Sequence, residues 1–509
     1  VREQEMNIKE AKEEIIHTVQ AYTAKDENGQ YLIPVEKQRP MLLIGPPGIG
    51  KTAILEQAAR QLHINLVSYT ITHHTRQSAI GLPRIEQRSF EGKEYQVTEY
   101  TMSEIIAAIY EQIEKSGVKE GILFLDEINC VSETLAPTML QFLQYKTFGT
   151  HRVPDGFVIV TAGNPPQYNK SVRDFDIVTL DRVRRINIEA DFDVWKEYAY
   201  DARVHGAILA YLEIRKDHFY SIRTEVEERY FVTARGWEDL SELLYAYEKL
   251  GIRVTGDVVG EYLQDPEIAK DFVTYYELYD KYKNLYQIPE ILTGSTPKMA
   301  EQLSGAPFDE KISVMSLLID ALNNEFTGYV RTLEVQKVLL SELNEMKTSL
   351  KAQKGKAVDL IRAARQEREE RLAKNLDAHM VTRDEEKIER LSLTAMAQLE
   401  KKLMLDGTGG EKSDFELARN WFEEREAKRQ ESVKRTGEHL TNCFAFLART
   451  FGEGQEMVLF LSELSADRYA LRFVTDNGNE AWYKYNQLLL LRDRREDLRQ
   501  EVLSLSGRL

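Results

Sequence analysis

The segment Gly45-Pro-Pro-Gly-Ile-Gly-Lys-Thr52 has the spacing Gly-x-x-x-x-Gly-Lys-Thr, a pattern suited to holding phosphate. Backbone N–H groups of such a loop point inward at phosphate oxygens, and the helix that follows adds the positive end of its dipole. Gly45, Gly48 and Gly50 let the chain wrap, Lys51 is placed to neutralise β and γ phosphates, and the Thr52 hydroxyl to ligate Mg²⁺. Further on, Gly121-Ile-Leu-Phe-Leu-Asp-Glu127 is an apolar run that ends in two adjacent acids. A buried strand tolerates acids where they emerge at its carboxyl end, which is where ligands bind such sheets. Asp126 is expected to hold Mg²⁺ through water, and Glu127 to polarise an attacking water as general base. The bland alternatives are a glycine turn with an exposed lysine and a strand running into an acidic helix cap. Each fits one motif alone but not the two in this order.

Three further polar residues stand at element boundaries. Asn164, in Ala162-Gly-Asn-Pro-Pro166, follows the apolar run Phe157–Thr161 and is placed to orient a lytic water; alone it reads as a turn-forming Asn. Arg182 lies in Thr179-Leu-Asp-Arg-Val-Arg-Arg185, and Arg235 in Ala234-Arg-Gly-Trp-Glu-Asp-Leu240. An arginine reaching a γ-phosphate from a neighbouring subunit is worth ~10³ to 10⁵ in rate in related chemistry. Most surface arginines are simply solvated.

The elements needed to hold these groups can be read from periodicity. A helix is expected to about Thr23, a polar turn at 25–29, and a buried strand in Arg39–Ile44 that runs directly into the glycine loop. Apolar runs at Asn65–Tyr69, Gly121–Leu125 and Phe157–Thr161 alternate with helical stretches, the pattern of a parallel sheet covered on both faces. The expected fold class is α/β, a P-loop NTPase sheet over residues 1–188, followed by a helical lid over 189–290 and a mostly helical region over 291–509. A linker, Leu292–Pro297, opens that last region. Within it, Phe326, Tyr329, Leu333, Leu340, Leu343 and Leu350 fall on three and four residue steps, with Gln336 and Lys347 at the interrupted positions. Ile388, Leu391, Ala395, Leu399 and Leu403 form a second stripe, so a coiled-coil hairpin over about 326–405 and an ordinary helical bundle are both open readings.

Composition narrows the partners. At 509 residues the chain is too long for one core, and 42% hydrophobic with 29% charged content suits an ordered protein. A net charge of −16 disfavours nucleic acid. The two cysteines, Cys130 and Cys443, fall in different regions, which supports neither a disulfide framework nor a cysteine-ligated metal. His73 and His74 lack further ligands at metal spacing and read as a polar pair. No apolar run approaches a membrane span and the amino terminus has no signal-like stretch, so a cytoplasmic location is expected. The chain begins with Val1, consistent with processing, trimming or an alternative start codon.

Taken in order, these motifs make the first 290 residues or so resemble an AAA+ ATPase, most closely the MoxR-like branch. In that family's terms Gly45 to Thr52 resemble Walker A, Ile122 to Glu127 Walker B, Asn164 sensor 1, Arg182 the arginine finger and Arg235 the sensor 2 arginine. The resemblance implies ATP and Mg²⁺ as cofactors, with nucleotide contacts from Gly45, Pro46, Pro47, Gly48, Ile49, Gly50, Lys51, Thr52, Ala53 and Asp126, and metal ligation by Thr52 and Asp126. It also implies a hexameric ring with ATP between subunits and a protein client, and MoxR-like ATPases commonly work with von Willebrand factor A domain proteins. Arg84–Glu104 and Phe148–Gly156 fit pore-facing insertions or plain surface loops. The stretch between Asn164 and Arg182 is longer and more charged than the branch's pattern, which leaves Arg173, Arg184 and Arg185 as alternative trans arginines. The leading expectation is an ATP-driven remodelling chaperone. A nucleic-acid motor or loader, and a nucleotide-gated scaffold with slow hydrolysis, are the alternatives; the acidity opposes the first and Glu127 the second.

Overall fold

The computed structural model describes residues 5–73, 79, 81–148, 150–168, 177–224, 228–295, 300–353, 355–377 and 381–487. These divide into two compact units. The first comprises residues 1–195, 233–235 and 371–382, and the second 196–232, 236–370 and 383–509.

The first unit is built on six parallel strands: β1 (Glu5–Met6), β2 (Met41–Ile44), β3 (Asn65–Thr70), β6 (Gly121–Asp126), β9 (Phe157–Gly163) and β10 (Arg184–Ile188). Their spatial order is β1-β10-β2-β9-β6-β3, each neighbouring pair parallel. The central strands carry almost no polar residues: Ile122, Leu123, Phe124 and Leu125 are wholly buried. Burial of every successive residue means both faces are covered, as a sheet with helical crossovers requires. Each such side chain contributes roughly 1.5–3 kcal/mol when taken out of water.

Helix Ile8–Thr23 shows how locally the covering helices are specified. Asn7 accepts the N–H groups of Lys9 and Glu10, and the Glu10 carboxylate takes the Asn7 N–H in return. This capping box starts the helix, and Ala11, Ile15, Ile16, Val19 and Tyr22 form its buried stripe. Asp26 ends the segment in a turn, accepting from the N–H groups of Asn28 and Gln30.

Two hairpins interrupt this framework where insertions are expected. Strands β4 (Pro83–Phe90) and β5 (Lys93–Tyr100) pair antiparallel around Glu91 and Gly92, both with positive φ, the primed turn that matches strand twist. Leu82, Ile85, Phe90, Tyr95 and Tyr100 stand exposed on or beside it. The second, β7 (Thr147–Phe148) with β8 (His151–Arg152), is short, and its Phe148 ring stacks on Phe142 at 3.9 Å in the core.

The second unit is largely helical. One feature absent from its sequence pattern is a two-stranded hairpin, β11 (Ser221–Thr224) with β12 (Arg229–Val232). The aromatic groups of Tyr211, Trp237, Phe272 and Tyr275 pack at centroid separations of 5.3 to 5.7 Å. Helix Phe308–Lys351 continues this core past the linker. Ser313 Oγ meets the Tyr275 hydroxyl at 2.8 Å, Ser316 Oγ donates to the Gly206 carbonyl at 3.0 Å, and Asn442 Nδ2 donates to the Leu292 carbonyl at 2.7 Å.

Farther along, the charged helices form a bundle. Val335, Leu339, Leu343, Met346 and Leu350 pack with Ala357 and Ile361, with Ala395, Met396, Leu399 and Leu403, and with Ala418 and Trp421. Four helices thus contribute to one core: Phe308–Lys351, Ala357–Asp377, Arg383–Asp406 and Glu411–Phe451. Of the two open readings, the bundle describes this packing; Phe326, Tyr329, Gln336, Leu343 and Leu350 of the first stripe and Ala395, Leu399 and Leu403 of the second are buried, and two positions depart from the stripes. Leu340 is 48% and Leu391 43% exposed. No helix among the described residues is long and apolar enough to cross a membrane.

Candidate active site

The carboxyl ends of β2, β9 and β6 lie side by side, and the expected chemical groups follow directly from them. After β2 the glycine loop leads into helix Lys51–Leu62, with Gly50 at its cap. The first N–H groups of a helix lack intrahelical acceptors, so this end is a donor site for anions. Gly48 has φ 73° and lies so close to Thr233 that an added Cβ would come within 2.9 Å of its side chain. Just beyond, the Arg235 N–H donates to the Gly48 carbonyl at 3.2 Å. The loop is therefore closed over by residues 233–235, which bring Arg235 into electrostatic range of Lys51 and Asp126.

Lys51 is 9% exposed. Its Nζ donates to the carbonyls of Gly45 at 2.8 Å and Pro46 at 2.9 Å, and to Asn164 Oδ1 at 2.9 Å. Burial lowers its pKa to about 8; Asp126 opposes that shift and Arg235 adds to it. The contact to Asn164 joins the loop to the end of β9, so these two expected site residues are in direct contact.

Asp126 is held at the end of β6. Burial raises its pKa, against the Glu127 N–H, which donates to Oδ1 at 2.8 Å, and the nearby Lys51 charge. Among the described residues that N–H is its hydrogen-bond partner, which leaves most of the carboxylate's acceptor capacity open. An oxygen donor with spare lone pairs beside a phosphate loop fits a hard cation such as Mg²⁺ held through water. Thr52, half-buried in the first helical turn, supplies the matching hydroxyl.

Glu127 has φ 57° and ψ 35°, a left-handed conformation that costs a non-glycine residue about 1–3 kcal/mol. The kink turns the chain sharply off β6 into the short turn Ile128–Cys130. Glu127 Oε2 accepts from the Thr72 hydroxyl at 2.9 Å. Thr70 is the register partner of Asp126, so residues just past each strand are neighbours.

Thr72 and Asn129 are site residues that motif reading passes over. Asn129, 5% exposed, donates from Nδ2 to the Asn164 carbonyl at 2.7 Å. The signal for Thr72 is strand adjacency, which becomes visible only once β3 is known to pair with β6.

The arginines separate. Arg184 donates to Thr18 Oγ1 at 2.7 Å and pairs with Glu14, fastening β10 to helix Ile8–Thr23. Arg185 Nε donates to Asn187 Oδ1 at 2.9 Å. Arg182 is exposed, its backbone N–H bonded to the Thr179 carbonyl at 3.0 Å. Arg173 and His74 lie outside the described residues, as does the side chain of His73.

Comparison with known proteins agrees with this arrangement. Residues 40–183 match the family model described as "AAA domain (dynein-related subfamily)". No curated protein matches the sequence. Among solved structures, one titled "Structure of C. elegans PCH-2" aligns at 13% identity and a TM-score of 0.26, over 52% of this chain and 69% of that one, a likeness too loose to carry weight. With the phosphate loop, the acid pair and Asn164 at the carboxyl edge of a parallel sheet in the order given above, residues 40–183 have the AAA+ fold.

Proposed function

We propose that this protein hydrolyses ATP with Mg²⁺ and uses the cycle to remodel or assemble a partner protein, in the manner of a MoxR-like AAA+ ATPase. The observation that carries the reading is the convergence of Lys51, Asn164, Asp126, Glu127 and Arg235 at one edge of the sheet. Bound Mg²⁺ would neutralise β and γ phosphate oxygens, with Thr52 and Asp126 as its protein-side ligands. Lys51 neutralises the same phosphates, Glu127 draws the proton from the attacking water, and Asn164 orients that water. Nucleotide must displace the Lys51 ammonium from the Gly45 and Pro46 carbonyls, so loading rearranges contacts already present in the loop.

Arg235 acts from the first turn of helix Ala234–Leu250, on the γ-phosphate of its own subunit. Arg182, exposed and without a side-chain partner among the described residues, is the arginine we assign to the neighbouring subunit's nucleotide. This requires a ring, with six subunits the expected number. Residues 1–188 serve as the nucleotide-binding domain, 189–290 as the lid and 291–509 as a helical C-terminal domain. A von Willebrand factor A domain protein is the client we favour. The exposed apolar side chains of β4 and β5 suit a surface that grips unfolded or loosely packed segments.

The test is the Glu127→Gln protein with ATP. It should bind nucleotide, lose turnover, and sediment as a ring; turnover equal to the parent's would exclude Glu127 as the base. Loss of turnover in Arg182→Ala, partly restored by mixing with a Lys51-defective subunit, would support action across an interface.

A further inference from the structure

We propose that Asn129 is a positioning residue that sets Asn164 against Lys51, from the same turn that aims Glu127. This rests on the hydrolytic reading above and concerns how two of its groups are kept in register.

Asn164 is the first residue past β9, beyond the last ladder pair of that strand with β2, Ile44 with Gly163. Its side chain meets Lys51 at 2.9 Å, so its backbone has to be held by something other than the sheet. Asn129 supplies that hold. Its Nδ2 donates to the Asn164 carbonyl at 2.7 Å, and its amide lies flat over Gly163. A Cβ at position 163 would come within 2.6 Å of Oδ1, 2.7 Å of Cγ and 2.9 Å of Nδ2. Gly163 is thus required by the approach of a side chain from another element, since no real Cβ could share that space.

Asn129 lies in the turn Ile128–Cys130, entered through the left-handed Glu127 and closed by the Cys130 N–H donating to the Glu127 carbonyl at 2.9 Å. One compact turn therefore carries the proposed base at its start and the brace for the water-orienting amide two residues later. A buried amide that loses its partner leaves a polar group unsatisfied, so the turn and the end of β9 move as one piece. Asn129 does not touch the reacting atoms; it acts through Asn164.

The experiment is a double-mutant cycle on the full chain, read by single-turnover ATP hydrolysis, ADP affinity and thermal unfolding. Asn129→Ala should lower kcat about tenfold, the size of one well-formed hydrogen bond, while ADP affinity stays near the parent's. In an Asn164→Ala background the same substitution should change kcat by less than about twofold, because residues acting through one another are not additive. Asn129→Asp, which keeps the volume but replaces the donor facing the carbonyl with an acceptor, should show the same loss and guards against a folding defect in the alanine variant. The pair Asn129→Ala with Gly163→Ala refills the vacated space with a methyl group. It should recover thermal stability without recovering kcat. Additive losses in the cycle, parental kcat in Asn129→Asp, or recovery of kcat in the Asn129→Ala, Gly163→Ala pair would each overturn the proposal. Parental turnover in Glu127→Gln would instead sink the hydrolytic reading, so the two failures are told apart.

Discussion

Two lysines with little exposed surface, one in each unit, have opposite electrostatics. Lys51, in the first unit, sits among loop carbonyls and an amide oxygen, and burial pulls its pKa down to about 8. Lys196, in the second, is half-buried and lies between Glu213 at 2.6 Å and Glu463, whose charges outweigh burial and raise its pKa. Neutral acceptors hold an ammonium without satisfying its charge, and carboxylates satisfy it. The first arrangement leaves the ammonium charge without a counter-charge in contact among the described residues, the state our proposed phosphate site requires, whereas the second is closed and serves the fold. Arg368, between Glu342 and Glu389, repeats the closed pattern within the helical bundle.

The sharpest way to break this contrast is at the open site. Glu127→Gln should cost ~10² to 10⁴ in turnover with nucleotide still bound, measured by steady-state phosphate release and by equilibrium binding. At the closed site Lys196→Met should leave two half-buried carboxylates facing each other and destabilise the second unit by about 1–3 kcal/mol. Denaturant unfolding would measure that loss, and nucleotide affinity per folded molecule should be unchanged.

A milder probe is pH. Phosphate raises the Lys51 pKa from about 8, so binding takes up a proton there and ADP affinity falls as pH rises past 8, by at most about tenfold per unit. Calorimetry in buffers of different ionisation enthalpy should register the uptake. Lys196 has a folded pKa above its unfolded value, so its stabilisation is complete below the unfolded value near 10.4 and is lost only as pH rises through the folded one. The second unit's stability should accordingly not respond through Lys196 between pH 7 and 9. The smallest effect belongs to the exposed Leu340, where alanine should change stability by less than about 0.5 kcal/mol. The buried Leu343→Ala should cost roughly 2–5 kcal/mol in the same denaturant titration.

What could be read from sequence follows the range of the interactions. The strands beside the glycine loop and the acid pair are continuous apolar runs, and their chemistry is carried by adjacent residues, so Lys51, Asp126 and Glu127 stand out without a fold. Thr72 reaches Glu127 only because β3 is the neighbour of β6, and Asn129 reaches Asn164 only because β6 lies beside β9. Strand order is a long-range property that no local pattern encodes. Helix Phe308–Lys351 illustrates the opposite difficulty. It has partners on several sides along its length, so apolar residues occur around much of its circumference, and a single heptad register that selects Leu343 and Leu350 correctly also selects Leu340 where packing selects its neighbour Leu339. The hairpin of β11 and β12 is short, partly exposed and rich in arginine, and it carries too little alternation to signal itself.

The packing of helix Phe308–Lys351 onto residues before the linker governs how the gene can be cut. A stop codon placed after Ser295 removes Ser313, the partner of Tyr275, and Glu310, the partner of the Tyr286 hydroxyl at 2.6 Å, together with the apolar side chains around them. The shortened product would present a sticky aromatic face to solvent. An expression strategy that respects the fold keeps the chain whole through Tyr485, and a shorter fragment is better sought by redesigning that face than by trimming to it.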